Sequence, residues 1–252
     1  MKIDVLGCGS AFSLQHNTSA ICVTDNHQQR WLIDCGPTIP RTLWQRRGDV
    51  NDIDAIYFTH VHPDHCTGLT ALLNHWKSFG RRKPLIIWSQ REQRAVLMQL
   101  ARLANWPNSD LCFGIEWRDS EPDFHWQGWR IRTAFTHHEI PNLALRIDAD
   151  ERTLFYSGDG RPTPESIALM HRADVAFQEC TSLTALPADA SHGDLPGCLA
   201  LRDQLHLPRL GLYHCNDAAR EALAQACAVY PGLFLCQDGM VIDLSHCTEE
   251  HA

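Results

Sequence analysis

The segment Thr59-His60-Val61-His62-Pro63-Asp64-His65 constrains this chain more than any other feature. It ends an apolar run, Ala55-Ile56-Tyr57-Phe58-Thr59, that reads as a strand. It precedes Leu69, Leu72, Leu73 and Trp76, which recur at helical spacing. In an extended segment, side chains two apart project the same way, so His60 and His62 converge on one point. The turn at Pro63 redirects Asp64 and His65, which can address a second point beside the first. Imidazole and carboxylate together suit zinc, manganese or iron better than calcium or magnesium. The competing reading is a polar loop that is merely rich in histidine, and an H-x-H-x-D-H run at a strand end rarely arises that way.

The 252 residues are 44% hydrophobic and 21% charged, enough to bury a large core as one large domain or two small ones. A formal net charge of −8 has the wrong sign for gripping long nucleic acid by charge. The start lacks the basic flank and apolar stretch of a signal peptide, and no later apolar run approaches the roughly 20 residues of a membrane span. A soluble, cytoplasmic protein with no membrane contact is expected. The eleven cysteines are odd in number and none forms a C-x-x-C pair. Cys8, Cys22, Cys35, Cys112, Cys180 and Cys227 are therefore expected to be reduced core residues.

Strands are expected over residues 3–6, 19–24, 30–34, 55–59 and 85–88, with helices through 41–44, 69–76 and 96–103. Residues 113–117, 129–134, 143–147 and 153–157 read as successive antiparallel pieces. Alternation then returns: a strand at 175–177, a helix near 195–205, a strand at 210–213 and a helix over 218–229. Trp117, Trp126 and Trp129 are expected to pack a core or hairpin, Arg81-Arg82-Lys83 to form a solvated loop, and residues 245–252 to fray.

The histidine run resembles the hallmark of the metallo-β-lactamase superfamily. The resemblance implies a four-layer α/β/β/α sandwich, with residues 1–252 as one domain and a metal site at the edge where two sheets meet. It also implies three further ligands, sought in order. The first lies in Thr136-His137-His138-Glu139-Ile140-Pro141, where His138 is the better match and His137 the alternative. Asp159, in Tyr156-Ser157-Gly158-Asp159, matches the carboxylate that bridges both ions, and His214, after Leu212-Tyr213, matches the last ligand. His60, His62 and His138 would then hold one divalent ion. Asp64, His65 and His214 would hold the other, with Asp159 and a hydroxide between them. Zinc is the first choice, manganese and iron the others. Asp34 is similar to the family's inner aspartate, which orients a ligand histidine.

Tyr156-Ser157-Gly158-Asp159-Gly160-Arg161-Pro162 resembles a turn of the ribonuclease Z and phosphodiesterase branch, with Gly160 where threonine is common. Ala173-Asp174-Val175-Ala176-Phe177-Gln178-Glu179-Cys180-Thr181 resembles that branch's "ADLLIHEAT" strand, with Gln178 in place of its histidine. His192 stands where the branch places a non-ligand histidine. The resemblance implies that, supported by Glu179, it would protonate the leaving oxygen or stabilise the phosphorane-like transition state, and Asp64 is counted with these two as catalytic. Only 20 residues separate His138 from Asp159, which leaves no room for the arm that clamps transfer RNA. The cysteine-rich zinc insertion of a related phosphodiesterase is also missing.

The expectation is a hydrolase of a small phosphodiester, cyclic phosphate or nucleotide, working through a metal-bridging hydroxide. The alternatives are a ribonuclease Z-like endonuclease, a hydrolase of carboxylic esters, lactones, thioesters or lactams, and a silent binding protein on the same fold. Arg161 is a candidate phosphate neighbour. Oligomeric state stays open, homodimers being common in the branch.

Overall fold

The computed structural model describes residues 1–108 and 110–245, so the expected fraying beyond Ser245 lies outside the described residues. The first half runs β1 (Lys2–Gly7), β2 (Ala20–Thr24), β3 (Arg30–Ile33), α1 (Ile39–Gln45), β4 (Ala55–Tyr57) and α2 (Pro63–Cys66). It continues with α3 (Leu69–Ser78), β5 (Leu85–Ser89), α4 (Arg94–Leu103) and β6 (Ile115–Asp119). The second half runs β7 (Asp123–Trp126), β8 (Trp129–Phe135), β9 (Leu143–Ala149), β10 (Arg152–Tyr156), α5 (Pro164–Met170) and β11 (Val175–Glu179). It closes with α6 (Leu195–Leu205), β12 (Leu210–Tyr213), α7 (Arg220–Val229), β13 (Leu233–Leu235) and β14 (Val241–Asp243).

These form two seven-stranded sheets, ordered β14-β1-β2-β3-β4-β5-β6 and β13-β12-β11-β10-β9-β8-β7. Successive side chains on a strand point to opposite faces, and both faces of each sheet are covered at its centre. Central strands such as β4 and β11 are therefore buried along their whole length, while the edge strands β6, β7 and β14 carry charged, exposed residues. Trp31, Ile33, Ala55 and Tyr57 enter the shared core between the sheets, while Leu32 and Ile56 face the helix side. In the other sheet Leu154, Tyr156, Val175 and Phe177 point inward, while Phe155 and Ala176 point out. The outer layers bring Ile39, Leu72, Trp76 and Leu97 onto one sheet, and Met170, Leu201 and Leu223 onto the other. This is the α/β/β/α sandwich.

At the centre of the shared core, Trp31 lies 5.3 Å, ring to ring, from both Trp126 and Trp129, and 5.9 Å from Trp88. Truncating an indole so enclosed costs about 3–5 kcal/mol. Trp126 pairs with Trp129 across a tight hairpin whose two turn residues, Gln127 and Gly128, both have positive φ, the geometry that matches strand twist.

Three expectations need correction. Residues 113–117 were grouped with the antiparallel pieces, but β6 starts at Ile115 and pairs parallel with β5. Periodicity reports burial, and pairing direction follows only from the crossover through α4. Arg81 is no solvated loop residue: it is fully buried, donating to the carbonyls of Val50, Ile53, Lys83 and Pro84 beneath the Trp76 ring. Cys112 is exposed and Cys227 half-buried, whereas Cys8, Cys22, Cys35 and Cys180 are buried free thiols. Among the described residues, no helix is long and apolar enough to cross a membrane.

Candidate metal centre

β4, β8, β10, β11 and β12 all end toward one edge of the sandwich; the predicted ligands follow β4, β8, β10 and β12, Glu179 ends β11, and His192 lies in the loop before α6. After β4 the chain stays extended to His62 (φ −61°, ψ 149°). Pro63 then opens α2, whose first turn carries Asp64 and His65 inward. A proline fits here because the first helical N–H has no partner within the helix.

Two groups of donor atoms result. His62 Nδ1 lies 3.1 Å from His60 Nε2 and 3.0 Å from His138 Nε2. His65 Nε2 lies 3.2 Å from Asp64 Oδ2 and 3.3 Å from Asp159 Oδ1. His214 Nε2 lies 3.3 Å from Asp64 Oδ2 and 3.2 Å from Asp159 Oδ2. Asp159 Oδ2 is also 3.9 Å from the Nε2 atoms of both His60 and His138, so this carboxylate stands between the groups. His137, the alternative, is exposed with its ring on the Asp189 carbonyl.

The donor set fits divalent cations on three counts. Burial first, and then the neighbouring His65 and His138, hold His60 and His62 below the usual imidazole range, leaving lone pairs free. His65 Nε2 and Asp159 Oδ1 are buried without a hydrogen-bond partner, an arrangement that a cation between them would relieve. Finally, the far nitrogens of three rings are anchored: His60 Nδ1 on Thr59 Oγ1 at 3.0 Å, His65 Nδ1 on Asp34 Oδ2 at 2.8 Å, and His138 Nδ1 on the Ser191 carbonyl at 3.0 Å. Such partners fix the tautomer so that Nε2 faces the site.

Asp34 and His214 both sit in the left-handed region, at φ 62° and 55°. Left-handed residues other than glycine are uncommon and gather at functional sites. At Asp34 the twist follows β3 directly and brings a fully buried carboxylate onto His65 and Thr59.

Beside the donor groups, Glu179 Oε1 accepts from Gly160 N at 2.8 Å, His192 Nδ1 at 3.0 Å and Gly193 N at 3.1 Å. The Glu179 carboxylate raises the His192 imidazolium to about 9. The His192 ring is stacked 5.7 Å from that of His214 and meets His138 edge-on at 5.1 Å. Gly160 has φ 103°, and a Cβ there would sit 2.6 Å from Thr136 Oγ1. A side chain at this position would therefore be strained and would crowd Thr136.

Arg161, the candidate phosphate neighbour, is spent elsewhere: it donates to the Pro187 carbonyl and pairs with Asp194, bracing the loop that carries His192. Sequence reasoning missed Asn142, fully buried, which accepts from Asp159 N at 3.1 Å and donates to the Ser157 carbonyl and Thr136. It also assigned no role to the Thr59 hydroxyl, although Thr59 opens the histidine run. Cys8, His16 and Asp238 form another donor cluster, but Asp238 is occupied by the amides of Cys8 and Asn17, which makes it the staple of the early loop.

The family described as "Anti-Pycsar protein Apyc1" matches residues 1–229. An Anti-Pycsar protein Apyc1 of Bacillus phage 010DV004 is 35% identical over 255 residues, covering 90% of this chain and 93% of that protein. A ribonuclease Z of Halalkalibacterium halodurans is 28% identical over 159 residues, covering 60% of this chain, and the match spans 50% of that protein. The crystal structure of the metallo-β-lactamase fold protein YhfI from Bacillus subtilis superposes with a TM-score of 0.79 at 20% identity, covering 96% of this chain and 98% of that one. The chain therefore belongs to the family described as Anti-Pycsar protein Apyc1, on the metallo-β-lactamase fold.

Proposed function

We propose that this chain is a metal-dependent phosphodiesterase, one domain in extent, that hydrolyses a small phosphodiester such as a cyclic phosphate or nucleotide. In this reading His60, His62 and His138 hold one divalent ion, Asp64, His65 and His214 hold the other, and Asp159 contacts both. Zinc is the ion assigned, because the set is rich in imidazole. When bound, two such ions acidify a water and neutralise charge that builds on the phosphoryl oxygens.

The observation that carries the reading is the His192–Glu179 pair. A departing alkoxide is a poor leaving group near neutral pH, and this pair supplies a proton donor for it beside the metal donors. With Nδ1 bonded to Glu179, His192 keeps Nε2 for the leaving oxygen, and the raised pKa keeps that nitrogen protonated at neutral pH. Glu179 is itself held by two backbone amides, so the donor is aimed rather than loose. Long nucleic acid is disfavoured as substrate by the net charge of −8 and by the engagement of Arg161. We assign the reaction to the cytoplasm, and a homodimer is the assembly to test for.

The test is turnover of a chromogenic phosphodiester, cyclic nucleotides, a precursor transfer RNA, a lactone, a thioester and a β-lactam, with metal content assayed on the same sample. Small phosphodiesters should turn over, and His192→Ala should lower kcat by about 10²–10⁴ with both metals still bound. Two bound metals with activity only on carboxylic substrates would sink the assignment, and activity only on RNA would favour the endonuclease reading.

A further inference from the structure

We propose that Thr59 is a positioning residue that ties both halves of the metal centre to the single carboxylate of Asp34. The inference rests on the metal-centre reading above. Thr59 is fully buried. Its amide donates to Asp34 Oδ1 at 2.9 Å, and its hydroxyl lies 2.8 Å from Oδ2 and 3.1 Å from Oδ1. His65 Nδ1 reaches the same Oδ2 at 2.8 Å. Every contact of the Asp34 carboxylate is thus a group able to donate, which makes it the acceptor throughout.

The direction of the next bond follows. Since the Thr59 hydroxyl gives its one proton to Asp34, its oxygen lone pairs face His60 Nδ1, 3.0 Å away, and that nitrogen must carry a proton. His60 is therefore held as the tautomer whose Nε2 lone pair points at His62 and His138. Asp34 acts directly on His65, in the carboxylate-rich half of the site, and through Thr59 on His60, in the histidine half. One buried anion organises donors for two ions, and among the described residues the hydroxyl is its route to the second.

Zinc binding to the metal-free chain, followed by competition with a chromophoric chelator, tests this without any substrate. The wild type should take up two equivalents. Thr59→Val keeps the β-branched shape but lacks the hydroxyl. It should weaken one equivalent by about 10–100-fold, the usual effect of removing a partner behind a ligand, and leave the other within a few-fold. Thr59→Ser should restore the weakened equivalent, which a merely structural role would not require. Asp34→Asn should weaken both.

Wild-type affinity at both sites in Thr59→Val overturns the proposal. So does equal weakening of both sites, or a failure of Thr59→Ser to rescue. A wild type that binds no zinc overturns this proposal and the metal reading together. Zinc binding as described, with no phosphodiester turnover, leaves this proposal standing and sinks the proposed function alone.

Discussion

The Glu179 carboxylate accepts from His192 Nδ1 at 3.0 Å with the same oxygen that receives the amides of Gly160 and Gly193. The turn after Asp159, the end of β11 and the loop before α6 therefore share one atom. His192 can be no better aimed than that junction allows, and its charge depends on it.

This dependence sets a pH response. Glu179 raises the His192 pKa from 6.5 to about 9, so the imidazolium persists through neutrality and is lost as pH rises. The pair's contribution to stability is correspondingly whole below about 6.5 and fades as pH rises through about 9. Glu179→Gln keeps an oxygen for the two glycine amides but removes the charge. The alkaline limb of the kcat profile should move to lower pH in that variant. An unmoved limb would assign it to another group.

His137 and His138 are adjacent in sequence, yet only His138 reaches His62, at 3.0 Å, while His137 is exposed. His138→Ala should lose about one metal equivalent and most activity. His137→Ala should keep both, as read by metal analysis of the purified variants. The opposite pattern would reassign the ligand.

Removing metal should destabilise the fold locally and globally, because the donors are packed for an ion that binds only the native state. A chelator should lower the thermal midpoint and added zinc should restore it in a concentration-dependent way. An unchanged midpoint would argue that no structural metal is held.

Arg81 supplies the opposite kind of test, stability with no chemistry. Its guanidinium serves four backbone carbonyls while fully buried, so Arg81→Ala should cost about 3 kcal/mol through the acceptors left without partners. Denaturant unfolding would measure it, while kcat under native conditions should hold.

Gly160 joins stability to function. At φ 103°, with a Cβ due 2.6 Å from Thr136 Oγ1 and 2.7 Å from the His137 carbonyl, Gly160→Ala must shift the turn. It should cost about 1–3 kcal/mol and move the Gly160 amide off Glu179, lowering kcat more than it raises KM. Wild-type kcat in a folded variant would show the turn to be slack.

The sequence alone carried the apolar alternation of β3, β4, β10 and β11, the strand-turn-helix around His60 to His65, and, through a resemblance, the positions of His138, Asp159, His214, Glu179 and His192. These were legible because local backbone geometry or a short motif encodes them. What the sequence did not disclose depends on contacts between distant segments. The run at Arg81 reads as a solvated loop until the fold closes carbonyls around it. Asn142 reads as one more loop residue until Asp159 and Ser157 arrive beside it. The parallel pairing of β6 is fixed by a crossover, which leaves no trace in periodicity. Thr59 stood in plain view in the motif, but its hydroxyl acquires a direction only when a left-handed turn at Asp34 brings a carboxylate within 2.8 Å. The sequence specifies which donors exist. Tertiary structure decides which are paired, because a hydrogen bond depends on distance and angle that the chain order does not contain.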